Sequence, residues 1–145
     1  WLVLPDHLVG AVAGQKGETE ETVGFVNQLA MTEFIESGAY DGHIRAMRSQ
    51  YRRRRRHLVE MIDRHAPTTR VTGMSAGLHV VLEQPGRTGA ELVRRAAREQ
   101  VTVESLDHFR HPGSTSARDG VTVGFAAPSA SAWSGALDAL VRALR

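Results

Sequence analysis

Two neighbouring stretches decide the fold: DGHIRAMRSQYRRRRRHLVEMIDRH at residues 41–65 and SAGLHVVLEQP at residues 75–85. In the first, Ile44, Met47, Tyr51, Leu58 and Ile62 fall on the three- and four-residue steps that gather side chains on one helical face. Asp41 is placed to cap this helix and Pro67 to end it. The second stretch is apolar and β-branched at Val80 and Val81, so it reads as a strand over 78–82, with a shorter one at 69–72 before it. A long one-sided helix that runs into a strand needs a sheet to cover.

The chain beyond Pro85 supplies that sheet. Gln84-Pro85-Gly86 is a turn, and Thr88-Gly-Ala-Glu91 matches a capping box opening a helix with Leu92, Val93, Ala96 and Ala97 on its core side. Residues 101–103 (VTV) and 121–125 (VTVGF) read as two more strands, separated by a polar loop, 110–120. Ser129 or Ser131 is placed to cap a last helix carrying Trp133, Leu137, Leu140 or Val141, and Leu144. The order β-β-α-β-β-α predicts a small α/β sandwich with helices on one face of the sheet.

Toward the N-terminus the pattern changes. Residues 1–4 (WLVL) predict a short strand ended by Pro5, and Asp6 caps a helix over 7–16. A second helix over 21–37 carries Phe25, Leu29 and the Phe34/Ile35 pair, and Ser37-Gly38 stops it. Residues 1–40 therefore read as connecting elements that pack on something larger, and residues 41–145 as a domain with its own core. Apolar stripes on such connecting helices seek a partner, so self-association is expected.

The chain has 145 residues, 41% of them hydrophobic, which is enough for one real core. No apolar run approaches a membrane span and no leader peptide is visible, so a cytoplasmic location with no membrane partner is expected. A start at Trp1 rather than Met fits a cut within a longer protein. There is no cysteine, which excludes disulfides and thiolate metal sites. The net charge is +2, and Lys16 is the only lysine among 18 basic residues.

Few residues invite chemistry. Arg52 to Arg56 is a run of five arginines, but successive helical residues point about 100° apart, so the run cannot form one face. A solvated surface with one or two bridges to acids is the expectation, rather than a nucleic-acid patch. His43, His57 and His65 lie 14 and 8 residues apart on one helix, too far to share an ion. His108 and His111 share a polar loop, which is no ligand set by itself. The serines of HPGSTS (residues 111–116) lack the G-x-S-x-G elbow of a nucleophile. No catalytic residue and no metal site is assigned.

Taken together, WLVLPDHLV, ESGAYDGHIRAMR, YRRRRRHL, AGLHVVL, VTVESLDHF and GVTVGFAAPS resemble, in order and spacing, the C-terminal part of pyridoxal-phosphate (PLP) proteins of the aminotransferase fold, fold type I. AGLHVVL and HIRAMR resemble most of all the MocR-type transcriptional regulators of the GntR family. The resemblance covers essentially the whole chain. It implies a C-terminal small domain of the aminotransferase fold over 41–145, preceded by remnants of the large domain over 1–40. It also implies a homodimeric full-length protein that binds PLP, senses PLP or an amine, and contacts DNA only through a separate N-terminal domain. The PLP lysine would precede Trp1, so Lys16 is not that residue and no covalent PLP is expected on this chain.

Two positions depart from the pattern. Family aminotransferases resemble L-R-L-x-F in the last strand, where an arginine grips the substrate carboxylate; here Thr122 takes that place. The segment Ser105-Leu106-Asp107-His108-Phe109 stands where relatives resemble P-L-S-x-Y. If a carboxylate is held at all, the resemblance leaves Arg110 and Arg118 in the loop as the cations to hold it, so Thr122, Arg110 and Arg118 are the candidate ligand-binding residues. The alternative function is the C-terminal small domain of a class I/II aminotransferase. A stand-alone interaction domain is the third reading.

Overall fold

The computed structural model describes residues 3–16, 24–74, 77–116 and 118–145. It divides into two compact units, Trp1–Ile44 and Arg45–Arg145. The helices are α1 (Asp6–Lys16), α2 (Phe25–Glu36), α3 (Ala39–His65), α4 (Gly89–Arg98) and α5 (Trp133–Leu144). The strands are β1 (Arg70–Thr72), β2 (His79–Glu83), β3 (Glu104–Ser105) and β4 (Val121–Gly124), with a 3₁₀ turn at Leu106–Phe109.

In the first unit, Trp1 and Leu2 of the expected initial strand lie outside the described residues, and residues 3–5 are not strand. Residues 21–23 of the second expected helix also lie outside them. α2 has no buried residue, and Phe25, Val26, Leu29 and Ile35 are all more than half exposed. Gly38, at φ +74°, closes α2 by donating its N–H to Ile35 O (3.0 Å), a conformation that glycine adopts without a Cβ penalty. The chain re-enters a helix one residue later. Asp41 therefore sits inside the first turn of α3 rather than capping it, where its carboxylate still faces the positive end of the helix dipole.

The second unit is built on a four-stranded antiparallel sheet of order β1-β2-β4-β3. Val80 pairs with Val123 and Leu82 with Val121, so these four share one face. That face is buried under Leu58 and Ile62 of α3, Leu92 and Ala96 of α4, and Leu137, Leu140 and Leu144 of α5. Fully burying each valine, leucine or isoleucine of this set contributes about 1.5–3 kcal/mol, and this face holds the unit together.

α4 opens with the expected capping box: Thr88 Oγ1 accepts from Glu91 N–H (3.2 Å) and the Glu91 carboxylate accepts from Thr88 N–H (2.8 Å). The Glu91 carboxylate also accepts from Thr88 Oγ1 (3.3 Å), and its bonds to the Thr88 N–H and hydroxyl hold the carboxyl below its usual range. The strand expected at 101–103 begins later, at Glu104. The reason is local: Val101 N–H is taken by Ala96 O (2.9 Å) and still closes α4, after a left-handed Gln100 at φ 59°. Ala132 precedes α5 with no side-chain cap, and the expected cap Ser129 instead accepts from Ala132 N–H (3.2 Å).

Two junctions fix the ends. Gly89 N–H and Gly120 N–H both donate to Asp119 Oδ1 at 2.8 Å. A Cβ on Gly120 would lie 2.3 Å from Leu82 O, so only glycine lets β4 enter the sheet there. At the far end of α5, Arg95 donates to Ala143 O (2.7 Å), Gln84 and Arg87 to Leu144 O (2.7 and 3.0 Å), and Arg87 again to Arg145 O (3.1 Å). Two guanidiniums and a buried amide thus satisfy carbonyls that a helix end leaves open.

The arginine run is not uniformly solvated. Arg56 bridges to Glu60 (3.7 Å) and Arg53 donates to Ser49 Oγ (2.8 Å), as a surface helix would. Arg54, however, is buried at 7% exposure. It occupies the gap in the apolar stripe between Tyr51 and Leu58, and donates to Phe125 O (3.2 Å) and Ala126 O (3.0 Å). Its guanidinium lies 5.0 Å from the Trp133 ring centre.

Candidate functional site

The face of the sheet opposite the core is left uncovered by the helices of this unit. On it the register aligns Thr72 with Val81, Val81 with Thr122, and Thr122 with Glu104. Glu83 follows two residues along β2 on the same face. Alternation therefore puts Thr122 on the open side, half-buried, with its hydroxyl donating to Glu104 O (3.4 Å).

On this side, residues between Leu106 and Ser116, with Arg118, line an open pocket of about 400 Å³. Its apolar lining is Val81 from the sheet, with Leu106 and Phe109 from the 3₁₀ turn. Phe109 is 60% exposed. Its polar lining is Arg110 and Arg118 together with His111, Ser114 and Ser116. The structure thus brings the two candidate arginines into one pocket, and sets Thr122 beside it through its register partner Val81.

The two arginines are held differently. Arg110 donates from Nε to Asp107 Oδ1 (2.9 Å) and from its two amino groups to the carbonyls of Ser116 and Arg118. It braces the loop. Arg118 reaches back over the sheet, donating to Glu83 Oε1 (2.6 Å) and Thr72 Oγ1 (3.0 Å). Each guanidinium therefore has a carboxylate partner of its own, Asp107 or Glu83.

Sequence reasoning missed the loop's donor groups and the buried Arg54. The position of Arg54 on the apolar stripe, three residues after Tyr51 and four before Leu58, was the available signal. Among the described residues no group of three or more acids and histidines is placed to hold a metal ion. Among the described residues no helix is long and apolar enough to cross a membrane.

The chain has the fold of the C-terminal part of PLP-dependent aminotransferases. It superposes on LysN, the α-aminoadipate aminotransferase of Thermus thermophilus, with a TM-score of 0.74 and 21% identity, over 99% of this chain and 36% of that one. An archaeal alanine:glyoxylate aminotransferase gives 0.69 and 19%, over 97% and 35%. In sequence, the chain is similar to HTH-type transcriptional regulators. YdeL of Bacillus subtilis is 30% identical over 135 residues, 90% of this chain and 28% of the relative. YhdI of the same organism is 29% identical over 109 residues, 74% and 22%. The pyridoxine biosynthesis regulator PdxR of Corynebacterium glutamicum is 28% identical over 127 residues, 86% and 27%. No family model matches. Regulator relatives and aminotransferase neighbours together match the chain to the aminotransferase-like domain of MocR-type, GntR-family regulators. The chain spans about a quarter of the length of the curated relatives it matches.

Proposed function

We propose that the chain is the C-terminal part of the effector domain of a MocR-type regulator, and that the open face of its sheet forms one wall of the effector site. The observation that carries this is the conjunction of an aminotransferase fold over nearly all of the chain with regulator relatives over 90% of it. In the full-length protein, DNA is contacted by a separate N-terminal domain, the protein is a homodimer, and PLP or an amine is the effector. PLP, when bound, supplies an aldehyde and an electron-withdrawing ring. Its lysine lies outside this chain, whose own part is to wall the site. Thr122 lies on the sheet beside the pocket, Arg110 holds the loop in place, and Arg118 is the second cation of the pocket lining.

The other reading, a class I/II aminotransferase, is disfavoured by the regulator relatives. Thr122 argues the same way. It offers one neutral hydroxyl where a carboxylate grip needs the two charge-assisted bonds of a guanidinium fork. The experiment is a gel-shift titration of the full-length protein on its own promoter region, with and without PLP and simple amines, alongside a transaminase assay. Effector-dependent DNA binding without turnover is the expected result. Rapid transamination with no DNA binding refutes the proposal.

A further inference from the structure

We infer that Arg45, Arg48, Arg52 and Arg56 form one cationic stripe on the outer side of α3, and that this stripe holds the phosphate backbone of duplex DNA without reading its sequence. The choice of DNA among polyanions rests on the regulator reading above; the stripe itself does not.

Helical phase sorts the arginines of α3 onto two sides. Successive residues turn by about 100°, so positions 45, 48, 52 and 56 fall within an arc of about 80°. Arg54 stands about 200° from Arg52, on the inner side, where it is buried. The five consecutive arginines make no face, but those at three- and four-residue steps from 45 to 56 do. All four are exposed, and all lie in the second unit. No acidic residue occurs between Asp41 and Glu60. Among the described residues, Arg56 alone of the four has a partner, Glu60 at 3.7 Å, and Arg45, Arg48 and Arg52 have neither an ion pair nor a hydrogen bond. Like charges three and four residues apart repel, and a solvated helix face ordinarily mixes both signs. A polyanion laid along the stripe relieves that repulsion.

The stripe runs about 16 Å along the helix, the axial length of about five phosphates on one strand of a duplex. Each guanidinium presents a planar fork that matches two phosphate oxygens. An anionic membrane fits less well. A helix that lies in a membrane surface buries an apolar face there, and the apolar side of α3, with Leu58 and Ile62, is already closed into the core. Contacts to phosphates alone position DNA and carry no sequence information, so they add a holding surface to the contact made by the N-terminal domain.

The test is fluorescence anisotropy of a labelled duplex of about 30 base pairs and arbitrary sequence, titrated with the 145-residue chain from about 50 to 200 mM NaCl. Four phosphate contacts give a slope of log K against log salt of about −3.6, a loss of affinity of about 150-fold over that range. Combining Arg45→Gln, Arg48→Gln and Arg52→Gln should bring the slope to about −0.9. The same charge loss at three exposed positions off the stripe, Arg70→Gln, Arg94→Gln and Arg98→Gln, should leave it near the natural value. Circular dichroism confirms that both triple variants keep the fold of the natural chain. A stripe variant with an unchanged slope, a control variant whose slope falls as far, no binding at about 50 mM salt with protein up to about 100 μM, or binding to phosphatidylserine vesicles but not to the duplex overturns the inference. A full-length protein that ignores its own promoter region while this titration succeeds would remove the regulator reading and leave the stripe standing.

Discussion

Replacing Arg54 by alanine tests the packing of α3 against the end of β4. The side chain is 7% exposed, and its amino group donates to two carbonyls, Phe125 O and Ala126 O, at 3.2 and 3.0 Å. A hydrogen bond from a charged donor contributes about 1.5–3 kcal/mol. A cation over an indole face adds roughly 0.5–2 kcal/mol, toward the upper end when desolvated. Against this stands the cost of keeping a guanidinium out of water, which the alanine variant no longer bears. Taking one strong bond's worth for the shared donor, most of the ring term and a partial offset, the variant should lose about 3 kcal/mol. With a urea slope near 2 kcal/mol/M, that moves the unfolding midpoint down by about 1.5 M. The assay is equilibrium urea unfolding followed by far-ultraviolet circular dichroism at 25 °C. Arg53→Ala and Arg56→Ala are the internal controls, because both side chains are exposed and each should shift stability by under about 1 kcal/mol. Arg54→Lys keeps the charge without the planar fork and should recover less than half of the loss. If Arg54→Ala unfolds within about 0.5 kcal/mol of Arg53→Ala, then the buried guanidinium contributes nothing and the reasoning fails.

Gly120→Ala should be destabilised by more than about 3 kcal/mol, because its Cβ would meet Leu82 O at 2.3 Å and the backbone must shift; thermal unfolding checks this, with Gly135→Ala, whose surroundings are open, as the tolerated control. The Glu91 carboxyl is held below its usual range by its bonds to Thr88. Its contribution is therefore complete above the unfolded value of 4.5, and is lost as the pH falls from there through the lower folded value. The stability gap between the natural chain and Glu91→Gln, measured by denaturant unfolding across pH 7 to 3, should accordingly shrink on the acid side, and a gap that widens there would contradict the capping geometry. Sedimentation at micromolar concentration should show a dimer or larger species, driven by apolar side chains such as Phe25, Val26 and Ile35, with Phe25→Ser and Ile35→Ser moving it toward monomer; a natural chain that sediments as a clean monomer argues against it.

Much of the second unit is legible in the residues. Period-two alternation at Val80/Leu82 and Val121/Val123 gives the buried face, and Thr88-x-x-Glu91 gives the start of α4 to the residue. Legibility ends where backbone bonds compete. Nothing in Val101-Thr-Val103 reveals that Ala96 O holds Val101 N–H and delays β3 by three residues. The arginine run misleads for a related reason. Its composition describes five solvated cations, while its phase relative to Tyr51 and Leu58 sends one of them inward. At the candidate site, Arg110 and Arg118 can be picked out as loop cations, but their partners Asp107 and Glu83 come from a different turn and a different strand. Only the folded loop shows that His111, Ser114 and Ser116 face the same cavity.

The strand order also has a kinetic consequence. β2 and β4 form the centre of the sheet, yet Val80 and Val123 are about forty residues apart in sequence. The helices rely on local bonds and can form within microseconds, whereas the central pair must first close a loop that contains α4 and β3. Until β4 arrives, β2 has only the three-residue β1 beside it and exposes its other edge. That edge, HVVLE, is apolar and β-branched, the kind of segment that pairs with strands of other chains. Slow arrival of residues 121–124 would therefore appear as aggregation during refolding that grows with protein concentration, and a peptide spanning β4 added in excess should suppress it.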